Sequence, residues 1–184
     1  MTTREDFFMT AFPGLTKGTW TVDPAHAEVG FTARHLMVAR VRGRFADVSG
    51  TVEVGDTLAD TQVRAAAAAT SISTNQADRD AHLRSADFFD VETYPELTFV
   101  STEVTEDSMT GELTIKGVTR PVTFGLEFEG VQADPWGNTK AGFSARTSIN
   151  RSDWGLTWNA ALEGGGVLVS DTIQITLEIE LLKA

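Results

Sequence analysis

Cysteine is absent from this 184-residue chain. That rules out disulfides and thiolate metal sites, and leaves no redox clue to the compartment. Histidine is scarce: His26, His35 and His82 sit in DPAHAEV, ARHLM and DAHLRS, with neither HExxH nor any other metal-ligand spacing. There is no GxSxG elbow, no Walker loop and no GxGxxG ahead of a helix. No apolar run reaches the roughly 18 residues a membrane-crossing helix needs. The opening MTTREDFFMTAFPGLTKG has neither the basic start nor the unbroken apolar stretch of a secretory signal, so a cytoplasmic location is expected. Positive charge is thin, with 15 Lys and Arg against 26 Asp and Glu and a net charge of -11. Such a chain repels phosphate backbones, and nucleic acid is not an expected partner.

What the chain does have is alternation. In IQITLEIEL (173–181) apolar and polar residues alternate without a mismatch. Similar runs are EVGFTARH (28–35), VSGTVEV (48–54), ELTFVSTEV (96–104), PVTFGLEFEG (121–130) and KAGFSARTSIN (140–150). Turn residues separate them, and GELTIKGVTRPVTFGLEFE (111–129) reads as a hairpin around Gly117. Strands with one polar face are usually antiparallel. VRAAAAATSI (63–72) carries five consecutive alanines but is predicted as a strand, because Thr70 to Thr74 continue a helix poorly. Gly164 to Gly166 are expected to form a hairpin turn before a further strand. About eight strands and a single helix predict an all-β closed antiparallel barrel or a sandwich, and an eight-stranded barrel is just wide enough to be packed or to hold one small ligand.

The helix is expected over about 76–84, capped by Asn75 with Asp78 as an imperfect capping box, and supported by Asp78–His82 and Asp80–Arg84 pairs. Phe88 and Phe89 follow it. Residues 1–17 read as a loosely held N-terminal arm, with Phe7, Phe8 and Phe12 available for docking, ahead of one barrel domain over 18–184.

Strand parity places Phe31, Ala33, Val52, Phe99, Phe124, Phe128, Phe143 and Ile175 inward, and Arg64, Glu127, Arg146 and Glu178 outward. Val63, Ala65, Ala67 and Ala69 share the inner face, and small residues there leave space unless the phenylalanines opposite fill it. His35 falls at the inner end of its strand. Arg34, Arg40, Arg42 and Arg44 form a positive cluster that is either a head-group anchor or a solvated strand face. Asp23, His26 and Glu28 form a general-base arrangement on paper, but no nucleophile accompanies it. Trp136, Trp154 and Trp158 are read as rim or core anchors.

Four segments in order, WTVDPAHAEVGFTARHLMVARVRGRF, SISTNQADRDAHLRSADFFDVETYPELTFVST, GELTIKGVTRPVTF and FSARTSINRSDWGL, resemble the YceI-like family of polyisoprenoid-binding proteins over about residues 19–183. The resemblance implies a lipocalin-like, extended eight-stranded barrel with a short helix near one end, often dimeric. It also implies an apolar lumen holding an isoprenoid, isoprenoid quinone or other long-chain amphiphile, with no enzymatic reaction. Carried over by motif, Arg34, His35, Leu36 and Met37 sit near the cavity mouth, and Leu83, Phe88 and Phe89 belong to a helical cover. Asn150, Arg151, Asp153 and Trp154 lie on a strand end and turn. The expected ligand contacts are thus Phe31, Arg34, His35, Leu36, Met37, Ala67, Phe88, Phe89, Phe99, Phe124, Phe143 and Trp154. No catalytic residue, metal or cofactor is expected beyond the bound lipid. The alternatives are an enzyme acting on such a lipid and a barrel packed shut, serving in stress or assembly.

Overall fold

The period-two runs become strands that close on themselves. A computed structural model describes residues 11–184. Its strands are β1 (Gly18–His35), β2 (Ala39–Phe45), β3 (Val48–Val54), β4 (Gln62–Ala68), β5 (Ile72–Ser73), β6 (Glu96–Val104), β7 (Ser108–Ile115), β8 (Val118–Ala133), β9 (Thr139–Asn150) and β10 (Thr172–Lys183). All pairings are antiparallel, and β1 pairs with β10 to close the sheet. The long β1 faces β3 with its first residues and β2 with its last, so β2 and β3 act as one kinked strand. The pieces β4 and β5 continue each other in the same way beside them. Counted so, eight strands form the wall. Closure leaves no sheet edge along most of the barrel.

Turn chemistry sets the register where the chain is short of residues. Lys116 and Gly117 both have positive φ between β7 and β8, as a tight type I′ hairpin requires. Inside, the ring of Phe31 lies across Gly43, its direct cross-strand partner; a Cβ on Gly43 would sit 2.2 Å from Phe31 Cζ. Only glycine allows that approach.

Two expectations about local structure change. The alanine-rich segment is a strand only as far as Ala68; Ala69–Ser71 is a 3₁₀ turn, so Ala69 is buried in a turn rather than on the inner strand face. No regular strand follows Gly164 to Gly166 directly, and β10 begins only at Thr172. That segment makes a tight turn and single bridges, Ala161 with Val167 and Val169 with His35. Some of its backbone groups pair with each other, as Leu168 N–H with Ala160 O, and the Asn159 amide holds both the N–H and the C=O of Val169.

The helix α1 (Ala77–Arg84) forms where expected but by other means. Gln76, not Asn75, is the N-cap, and its side chain accepts from Arg79 N–H. The i,i+4 ion pairs do not form. Asp80 is buried and accepts from the N–H and hydroxyl of Thr74, His82 meets Asp87, and Arg84 donates to the carbonyls of Thr70 and Ile72. Bonds to neighbouring loops beat a weak solvated pair along the helix.

Candidate functional site

The strands enclose a cavity of about 290 Å³ that runs the length of the barrel and is lined almost wholly by apolar groups. Phe31, Ala33, Ala65, Ala67, Phe99, Phe124, Phe143 and Ile175 line it, while Arg64, Glu127, Arg146 and Glu178 are exposed as parity requires. The alanines and the phenylalanines together explain the hollow. Ala65 and Ala67 are too small to reach the axis. Phe99 and Phe124 brace each other edge-on at 5.5 Å and so pack along the wall.

Each end has its own closure. At one end Phe12 and Leu15 are buried with Trp20 and Leu58, and the Phe12 ring lies 5.2 Å from Phe128 and 5.4 Å from Phe143. Residues 11–17 thus hold against the barrel, while Phe7 and Phe8 lie outside the described residues. Phe128 belongs to this plug and does not line the cavity. At the other end α1 lies over the opening. The chain after it turns back, with Phe89 N–H donating to Leu83 O and Val91 N–H to Arg84 O. This aims Phe88 and Phe89 into the cavity, and Phe89 meets Phe45 edge-on at 5.6 Å.

Five of the twelve expected contact residues are not cavity lining. Arg34 is exposed on the outer face of β1. His35 is bridged to Val169 and stays off the lining. Leu36 and Met37 form an exposed hairpin tip. Trp154 is buried in the wall, its indole N–H donating to Leu113 O at 3.0 Å. The arginine cluster therefore cannot anchor a head group inside the barrel, because alternation puts Arg34, Arg40, Arg42 and Arg44 outside.

Sequence reasoning did not place Leu156, Val169 or Arg151 at the cavity, which all three border; Arg151 was expected only on a strand end and turn. Leu156 and Val169 come from the aperiodic 155–171 segment and leave no pattern to read. Arg151 is 4% exposed. Its Nε donates to Ser170 O at 3.0 Å, and Nη1 donates to Leu156 O at 2.6 Å and Trp158 O at 3.0 Å. Its Nη2 lies 3.6 Å from Asp171 without a hydrogen bond. Burial pushes this guanidinium pKa down. One arginine thereby ties the long segment across the barrel end.

Outside the barrel, a bulge between Val22 and Ala27 sets Asp23 and His26 beside β10 and β9. Lys140 Nζ lies 2.9 Å from Asp23 and 3.3 Å from Glu180, and His26 Nδ1 is 3.0 Å from Asp23. Lys140 first, then His26, holds the Asp23 carboxyl down at about 2. The lysine ammonium bridges both carboxylates and offsets one of their two charges, which makes the cluster a structural clamp between β1, β9 and β10. A depressed carboxylate stabilises the fold fully above its ordinary value of 3.8 and loses that contribution as pH falls towards about 2. Asp23→Asn is therefore expected to lower Tm near neutral pH and to flatten part of its decline between about pH 4 and 2. Circular dichroism melts across that range are the check.

A closed antiparallel barrel with a full-length apolar lumen and a helical cover has the lipocalin-like architecture. The family model for the YceI-like domain matches residues 20–181, and the chain belongs to that family. A UPF0312 protein of Staphylococcus epidermidis is 39% identical over 161 residues, covering 86% of this chain and 94% of the relative. One from Staphylococcus aureus is 38% identical over 164 residues, covering 88% and 95%. Among solved structures, BcnA of Burkholderia cenocepacia superposes with a TM-score of 0.71 at 23% identity, covering 86% of this chain and 98% of its own. A polyisoprenoid-binding domain from Saccharophagus degradans superposes with a TM-score of 0.69 at 15% identity, covering 90% and 98%. Both support the fold. Among the described residues no helix is long and apolar enough to cross a membrane.

Proposed function

We propose that this barrel shelters a long-chain amphiphile, most naturally a polyisoprenoid or isoprenoid quinone, for carriage, storage or sequestration. The observation that carries this reading is the apolar cavity of about 290 Å³, continuous from Phe12 and Leu15 to Phe88 and Phe89. An apolar tube offers a chain contact along its whole length, and each methylene removed from water contributes about 0.8 kcal/mol. Ten of them contribute roughly 8 kcal/mol before the cost of immobilising the chain. The polyisoprenoid-binding neighbour from Saccharophagus degradans supports the ligand class. Asp23 and His26, the acid-base groups of the enzymatic alternative, lie outside the barrel, and His35 stays off the lining. Binding without turnover is accordingly the reading favoured.

Native mass spectrometry of protein purified without detergent, set against its denatured mass, is expected to show a retained apolar molecule that organic extraction recovers. An empty protein that also fails to take up an added isoprenoid quinone would reject the proposal.

A further inference from the structure

The hairpin joining β1 and β2 has a feature that the lumen does not explain. Its turn is closed by Val38 N–H donating to His35 O, and both central residues have positive φ, 54° at Leu36 and 58° at Met37. That backbone favours Asn-Gly and is strained for large side chains. Yet the tip is apolar and open, with Leu36 39%, Met37 53% and Val38 83% exposed. Strain held in an exposed place, where no packing rewards it, points to use.

Charge surrounds the same tip. Arg34 and Arg40 are direct cross-strand partners, and Arg42 lies opposite Thr32 on the same outer face. Like charges placed so repel each other. Among the described residues none of these three arginines forms an ion pair, whereas Arg44 further down reaches Glu28 at 3.8 Å. Three unpaired cations behind three apolar residues, in a chain of net charge -11, form a local surface of opposite sign to the rest of the molecule. The tip is also tied to the cavity end. Leu36 N–H donates to Leu168 O and Ser170 N–H to Arg34 O, while Val169 and Ala33 line the cavity.

We infer that the β1–β2 tip is a docking wedge for an anionic lipid bilayer. Leu36, Met37 and Val38 enter the acyl boundary, and Arg34, Arg40 and Arg42 meet the phosphate groups. Apolar area and basic charge at one spot are the two terms that set interfacial binding. Docking here would bring the helix-covered end of the barrel next to a reservoir of hydrophobic molecules. The acidic remainder of the surface would keep the barrel from lying flat on the membrane.

The test is flotation of the whole chain with vesicles of equimolar phosphatidylglycerol and phosphatidylcholine, and with phosphatidylcholine alone. Wild-type protein should float with the anionic vesicles only, and less as salt rises. Each arginine near such a surface is worth about fivefold in partitioning, so R34Q/R40Q/R42Q should bind roughly 100-fold more weakly. L36N/M37G supplies the residues this turn prefers and should fold at least as stably, yet bind about tenfold more weakly. Absence of anionic flotation, equal flotation with neutral vesicles, or variants that bind like wild type would overturn the docking wedge. Uptake of a fluorescent prenyl probe in vesicle-free buffer reports the lumen separately. Loss of one readout with the other intact shows which proposal has failed.

Discussion

Replacing Ala67 with phenylalanine is expected to cut lipid uptake by at least about tenfold while leaving the fold close to its original stability. Ala67 is buried, pairs with Val48 and Leu97 across the strands, and faces the cavity. A ring there would project into a space of about 290 Å³ that the ligand otherwise occupies. In a close-packed interior the same ring would force displaced rotamers at about 1–3 kcal/mol. In a hollow one it gains contacts instead, so the change in unfolding free energy should stay below about 1 kcal/mol. Probe titration and denaturant unfolding on the same sample decide it. Undiminished uptake, or a loss of about 1–3 kcal/mol with the structure retained, would mean that the bore is not the binding site.

The largest expected loss of stability is at Arg151. Arg151→Leu removes the donors to the carbonyls of Ser170, Leu156 and Trp158 at once. Each buried acceptor left bare costs about 1–3 kcal/mol, offset in part by relief from burying a charge. A net loss of about 3–5 kcal/mol is expected, a large share of the 5–15 kcal/mol typical of a domain. The ion pair to Asp171 contributes little, since it spans 3.6 Å and that carboxylate is 62% exposed. Asp171→Asn should therefore change stability by less than about 1 kcal/mol. Urea unfolding of both variants separates the two roles; equal effects would show that charge pairing, not carbonyl binding, holds the segment.

The legible and illegible parts of this protein divide by the range of the interactions involved. The wall could be read because alternation is local. Phe99, Phe124, Phe143 and Ile175 point inward in their strands whatever the distant partners are. The hairpin at Gly117 could be read because a glycine between two alternating runs marks a turn, and its positive φ is one that glycine adopts freely. The helix could be placed over about 76–84, against Ala77–Arg84 observed, but not its bonds, because Asp80 and Arg84 choose partners across loops over partners along the helix. The arginine cluster was open between a head-group anchor and a solvated strand face, and the structure puts Arg34 on the outer face, off the cavity lining. A basic cluster near a cavity in sequence sits on the opposite face of the same strand.

Periodicity and turn residues alone thus determined an antiparallel barrel or sandwich with a phenylalanine and alanine inner face, and the ordered motifs led to the family and its barrel. Only the tertiary structure decided that the interior is hollow, that Phe12 and Leu15 close one end, and that a buried arginine straps the other. Those outcomes depend on how side chains from distant strands meet around an axis. Whether two inward rings touch or leave a gap is set by the curvature of the closed sheet, which no single strand encodes.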